Sequence, residues 1–105
     1  MANAEIVFAP RAQQDLDEIW DYIATELDNR TAAANTVDGI LSRIDLLKTF
    51  PESGTPLSSI YPIKTDYRFV VCGNYLAFYR YHSRVYIDRI LYAKRNYLKI
   101  LFTQS

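Results

Sequence analysis

Hydrophobic positions recur along this chain at two spacings, and the change from one to the other divides it. Glu5 to Phe8 alternates, with Ile6 and Phe8 opposite Val7, and predicts a short strand. Pro10 then fits the first turn of a helix, where its missing N–H costs nothing. Ala12, Leu16, Ile19, Trp20, Ile23 and Leu27 follow at helical spacing and form one apolar stripe. Asp28-Asn29-Arg30 interrupts that pattern, and Thr31 is the predicted N-cap of a second helix running to about Thr49. Its apolar face is Ala33, Val37, Ile40, Leu41, Ile44 and Leu47, and Pro51 stops it. Two amphipathic helices with so short a link predict an antiparallel hairpin.

Beyond Pro51 the period is lost. Residues 51–65 hold Pro51, Gly54, Pro56, Pro62 and several hydroxyl residues, and predict a loop without regular elements. Then the period becomes that of strands. Tyr67, Phe69 and Val71 share one face of a strand, with Arg68, Val70 and Cys72 on the other. Gly73-Asn74 is a two-residue hairpin signal. Tyr75 to His82 alternates Leu76, Phe78, Arg80 and His82 with Tyr75, Ala77, Tyr79 and Tyr81. A last strand spans Arg84 to about Ala93, and its change of register predicts a bulge near Asp88–Arg89. The predicted order is β-α-α-β-β-β: an α+β fold, with an N-terminal helical hairpin on one face of a small, mainly antiparallel twisted sheet. The chain reads as a single domain, 1–105. The other sheet face is expected to be open to solvent or a ligand, with the last strand running into a short basic tail.

Composition changes this picture little, and charge changes it more. Half of the residues are apolar, so an ordered core is feasible. The apolar runs are too short to span a bilayer, MANAEIVF lacks the features of a signal peptide, and one cysteine excludes an internal disulfide. A cytoplasmic protein is expected. The formal net charge is zero, yet residues 1–53 hold ten acids and four bases while residues 54–105 hold two acids and eight bases. That split predicts a sheet half facing an anionic partner, nucleic acid or an acidic protein.

Candidate chemistry follows from that basic half. Arg68 and Arg95 stand at strand ends that can lie close in a small sheet, where both guanidinium forks could grip one phosphate. Tyr79, Tyr81, Tyr92 and Tyr97 offer rings for stacking on unpaired bases. Lys64, Arg80, Arg89 and Lys94, with Tyr79 and Tyr81, complete a candidate nucleic-acid-binding face. His82, the one histidine, reads as an exposed turn residue, although as a general base it would suit neutral pH. Cys72 reads as a buried thiol. One Cys and one His make a zinc site unexpected, no Gly-rich phosphate loop is present, and Asp15, Asp17, Glu18 and Asp21 read as a solvated helix face. No metal or cofactor is expected.

Several stretches together resemble the RelE/ParE superfamily of type II toxin–antitoxin toxins over nearly the whole chain. They are FAPRAQQDLDEIWDYI (Phe8 to Ile23), LLKTFPESGTP (Leu46 to Pro56), YRFVV (Tyr67 to Val71), NYLAFYR (Asn74 to Arg80) and VYIDRILYAKRNY (Val85 to Tyr97). The resemblance implies a helical hairpin on a small antiparallel sheet. It also implies the toxin of a plasmid-stabilization or addiction module, held in check by a cognate antitoxin protein. RelE-like members are metal-independent endoribonucleases that cut mRNA on the ribosome. By position, Arg68, Arg95 and Tyr97 match their catalytic residues, with the general base left between Lys64 and His82. ParE-like members instead inhibit DNA gyrase without catalysis, and the DLDEIWDYI helix start is similar to theirs. The expectation is a ribosome-dependent mRNA interferase, with a gyrase inhibitor as the alternative and an inactive basic binding module as a third reading.

Overall fold

Five strands form one sheet in the order β1-β5-β4-β3-β2 in the computed structural model, which describes residues 3–103. The chain runs β1 (Ile6–Phe8), α1 (Pro10–Asp21), α2 (Arg30–Asp45), β2 (Thr55–Pro56), β3 (Arg68–Cys72), β4 (Tyr75–His82), β5 (Arg84–Tyr92) and α3 (Tyr97–Phe102). β1 lies parallel to β5 and every other pairing is antiparallel. The fold class is the one the hydrophobic pattern predicts. Two elements were not predicted: the short edge strand β2 inside the 51–65 loop, and α3 in place of a basic tail.

The helical hairpin forms for the reasons its sequence offers. Ala12, Leu16, Ile19 and Ile23 are buried along the inner face of α1 and its continuation. Past Asp21 the helix widens into a π-helical turn, Tyr22–Glu26, and the Asn29 N–H reaches back to the Ile23 carbonyl. Asn29, rather than Thr31, caps α2, its side-chain oxygen accepting the Ala32 N–H at 2.9 Å. Ala33, Ile40, Ile44 and Leu47 then face the sheet side of the hairpin with Val70, Ala77, Tyr79, Val85, Ile87 and Ile90.

The second sheet face is not open. Leu76, Phe78 and Leu91 of that face are buried with Leu57 and Leu101, under the 57–67 segment and α3. The expected free face is corrected here. Phe78 and Leu91 are 0% and 2% exposed, and strand residues so apolar need a cover to leave water. The short helix supplies it: Leu98, Ile100 and Leu101 turn inward, and Tyr97 packs on the Phe78 ring with centroids 5.3 Å apart.

The predicted bulge is present. Phe78 lies opposite Arg89 and Tyr79 opposite Ile87, so Asp88 is the extra residue. Its insertion returns Ile90 to the same face as Ile87, which an unbroken alternation would forbid. It also aims Arg89 at α1. Arg89 donates to both carboxylate oxygens of Asp15 at 2.9 and 3.1 Å, and the Ile90 N–H donates to one of them at 2.9 Å. Asp15 is 4% exposed. The expected solvated acidic face therefore holds for Asp17, Glu18 and Asp21, which are exposed, and fails for Asp15. Replacing Asp15 by Ala leaves the Arg89 charge and a strand N–H without their partner. The expected loss in urea unfolding is about 3 kcal/mol or more.

Candidate functional site

A groove of about 980 Å³ runs between the helical hairpin and the tip of the β3–β4 hairpin. Its helical wall is low at Gly39, where an added Cβ would meet nothing within 4 Å. The π-helical turn sets Tyr22 and Leu27 along its rim, 54% and 56% exposed, and the sheet contributes Val71 and Tyr92. Tyr92 is braced edge-on against Tyr75, with centroids 5.7 Å apart. Arg43 and Arg95 also line the groove, and neither side chain has a hydrogen-bond or ion-pair partner among the described residues. The site thus pairs uncovered apolar side chains with two uncommitted cations. Cys72 lies in its wall, and burial pushes that thiol up to about 11, so it stays protonated at neutral pH.

Arg68 is elsewhere. In the strand register Arg68 faces Tyr79, while Cys72 faces Tyr75, which faces Tyr92 just before Arg95. The two arginines are therefore separated along the strands by about 13 Å or more. Arg68 Nη1 donates to the Glu52 and Gly54 carbonyls at 3.0 and 2.9 Å. Tyr79 works on the same turn, its hydroxyl donating to the Pro51 carbonyl and accepting the Gly54 N–H. Gly54 is required there, because a Cβ would sit 2.5 Å from the Tyr79 hydroxyl oxygen and 2.9 Å from the Phe69 carbonyl oxygen. The expected convergence of Arg68 and Arg95 on one phosphate does not occur.

The remaining predicted residues are dispersed. Tyr97 lies on the second sheet face, its hydroxyl bonded to that of Tyr61 at 2.7 Å. That bond, with some burial, raises its pKa above the usual phenol value. Tyr79 is fully buried and offers no face to a base, which corrects its place in the stacking set, and Tyr81 is half-buried. Arg80 bonds Asp88 at 2.8 Å and lies over the Tyr67 ring, and Arg89 is committed to Asp15. Arg84 pairs with Glu5. The basic face expected of the sheet is thus largely neutralised by the chain's own acids. Lys64 and Lys94 remain exposed. His82 gains a partner that its sequence neighbours did not reveal, the Asp66 carboxylate, whose pKa that hydrogen bond lowers. The pair is more than half exposed.

Sequence reasoning missed the groove residues Tyr22, Gly39, Arg43 and Val71. A mid-helix glycine was the available signal, since it weakens a helix that nothing else interrupts.

The chain matches the family described as "ParE toxin of type II toxin-antitoxin system, parDE" over residues 6–97. It is 30% identical over 86 residues to Toxin ParE1 of Caulobacter vibrioides, covering 82% of this chain and 85% of that one. Its fold is similar to a chain of the chromosomal ParDE TA system from P. aeruginosa, with a TM-score of 0.72 at 21% identity, covering 87% of this chain and 97% of that chain.

The contrast between the two arginines is measurable without an activity. Arg68→Ala strips two carbonyls of their donor and is expected to lower stability by about 1–2 kcal/mol. Arg95→Ala removes no side-chain hydrogen bond or ion pair among the described residues and is expected to stay within about 0.5 kcal/mol of the parent in the same denaturation experiment.

Proposed function

The chain belongs to the ParE toxin family of type II toxin–antitoxin systems, and from that premise we propose that it arrests growth by binding DNA gyrase rather than by cutting RNA. The observation that carries this reading is the separation of the groups a nuclease needs together. Arg68 spends its donors on the 52–54 turn, Arg95 stands at the groove, and Tyr97 is tied to Tyr61 on the other sheet face. Phosphate-transfer catalysis demands such groups around one reacting centre, at hydrogen-bond range. Inhibition by binding needs only a shaped, stable surface.

The groove we assign to the antitoxin. Tyr22, Leu27, Val71 and Tyr92 leave apolar area that an amphipathic helix can cover. Arg43 and Arg95 favour carboxylates on that helix, and their charge speeds its approach. Gly39 allows the two backbones to come close.

Two measurements test these assignments. The purified chain is expected to inhibit gyrase supercoiling while leaving mRNA intact in a translating extract. Cleaved mRNA with normal supercoiling would reverse the reading in favour of the ribonuclease. For the groove, Gly39→Leu fills the low wall while improving helix propensity, so the fold is retained. Its affinity for the antitoxin is expected to fall by about tenfold or more. Unchanged affinity would move the antitoxin off the groove.

A further inference from the structure

The two segments that cover the second sheet face carry a charge that the chain itself does not answer. Tyr61 of the 57–67 segment and Tyr97 of α3 join them, hydroxyl to hydroxyl at 2.7 Å, with their rings edge to face. Lys64 follows Tyr61 by three residues, Lys94 precedes Tyr97 by three and Lys99 follows it by two. Each therefore lies within about 11 Å of that junction along the backbone. All three are exposed, and none has a hydrogen-bond or ion-pair partner among the described residues.

The carboxylates that could neutralise these lysines are committed or remote. Beyond Pro51 the side-chain carboxylates are Glu52, Asp66 and Asp88, which stand against Arg68, His82 and Arg80. The exposed carboxylates without such a partner, Asp17, Asp21, Glu26, Asp28 and Asp38, all belong to the helical hairpin and its link. That hairpin packs on the opposite face of the sheet. A chain that is neutral as a whole is thus basic on its cover layer and acidic on its helical layer.

The make-up of the cover layer selects a partner. Its free charges are lysines, which are depleted in the centres of protein–protein contacts, where arginine and aromatic residues gather. A phosphate backbone, by contrast, is answered by point charges without regard to sequence. The aromatic rings of the layer are engaged with one another, Tyr61 with Tyr97, and Phe102 edge-on to Tyr67 with centroids 5.9 Å apart. Rings so engaged are poor platforms for unpaired bases. Both segments are pinned on Phe78 and Leu91, so the lysines stand on a surface of fixed shape. We infer that the cover layer binds the phosphate backbone of duplex DNA, independent of sequence, through Lys64, Lys94 and Lys99. On the gyrase reading this DNA is the duplex on which the enzyme works. The toxin then engages enzyme and DNA together, with its acidic hairpin turned away from the phosphates.

This inference rests on the gyrase reading only for where the DNA is met, and the two can fail separately. The purified full-length chain is titrated into a short labelled duplex of arbitrary sequence, without gyrase, and into a single-stranded RNA of the same length. Duplex affinity is expected to fall with salt at a log–log slope of about −3, one released counterion per lysine. Lys64→Gln, Lys94→Gln and Lys99→Gln combined are expected to lower duplex affinity at low salt by about tenfold or more, while Lys→Arg at the same three positions keeps it. The melting temperature and antitoxin affinity of both variants are expected to match wild type, because the three side chains are exposed and unpaired. Absence of duplex binding at low salt overturns the inference, as does a glutamine variant that binds the duplex like wild type or a wild-type chain that prefers the RNA. A glutamine variant that loses affinity for gyrase in the absence of DNA also overturns it, by giving the lysines to an acidic protein surface. Duplex binding through these lysines with normal supercoiling sinks the gyrase assignment alone. Inhibited supercoiling without any duplex binding sinks the DNA surface alone.

Discussion

Asp15 is a carboxylate almost wholly withdrawn from water, and a group in that state must have all of its hydrogen-bonding capacity met by protein. Three features of the fold combine to do so. β1 ends at Phe8, opposite Ile87, so β5 beyond that point has no strand on its outer side. Asp15 takes the Ile90 N–H there, as a longer β1 would have done. The Asp88 bulge turns Arg89 toward the helix, where its guanidinium covers both carboxylate oxygens. Arg11 approaches from the same helix at 3.9 Å. The hairpin is thereby registered on the sheet by a polar contact inside a mainly apolar layer. A slip of the helix by one turn would leave a charge and a strand N–H unpaired at once, a penalty that apolar packing alone does not impose.

With the hairpin fixed on one face, the second face sets the other constraint. Phe78 and Tyr79 are neighbours on β4, point to opposite sides, and are both fully buried. Phe78 needs the cover that α3 and the 57–67 segment supply. Tyr79 needs partners for its hydroxyl, and the turn after α2 supplies them from Pro51 and Gly54. Burial raises the Tyr79 pKa, which is the expected direction for a phenol held neutral in a site of low polarity. The central strand therefore organises both layers, and the 50–56 turn is as much a part of the core as the helices are.

Much of this was legible in the sequence, and the misses have a common cause. The hairpin, β1, the three long strands, the Gly73-Asn74 turn and the bulge all follow from local periodicity and turn chemistry. What period alone does not carry is who pairs with whom. The uneven distribution of charge predicted an outward basic face. In three dimensions Glu5 meets Arg84, Asp15 meets Arg89 and Glu52 meets Arg68, so acids of the first half are spent on bases of the second. Part of the asymmetry along the chain thus serves to join the two halves. Arg68 and Tyr79 looked like ligand contacts because each is polar and lies in a strand. Their carbonyl partners lie 14 to 28 residues away, in a segment without periodic pattern. The α3 helix is short, and its apolar side becomes meaningful only once Phe78 and Leu91 are known to need a cover.

These pairings also leave certain groups free for function. Among the bases of the strand region, Arg68, Arg80, Arg84 and Arg89 are engaged inside the molecule, while Arg95 is not, and Arg43 joins it across the groove. With the strand arginines matched, two free guanidinium groups beside exposed Tyr22, Leu27, Val71 and Tyr92 give the groove a charge signature that the sheet itself lacks. Leu46 and Phe50 are uncovered too, yet their flanking charges are matched. A partner that answers Arg43 and Arg95 with carboxylates therefore has no reason to prefer the turn at Leu46 and Phe50, where the neighbouring charges are already paired.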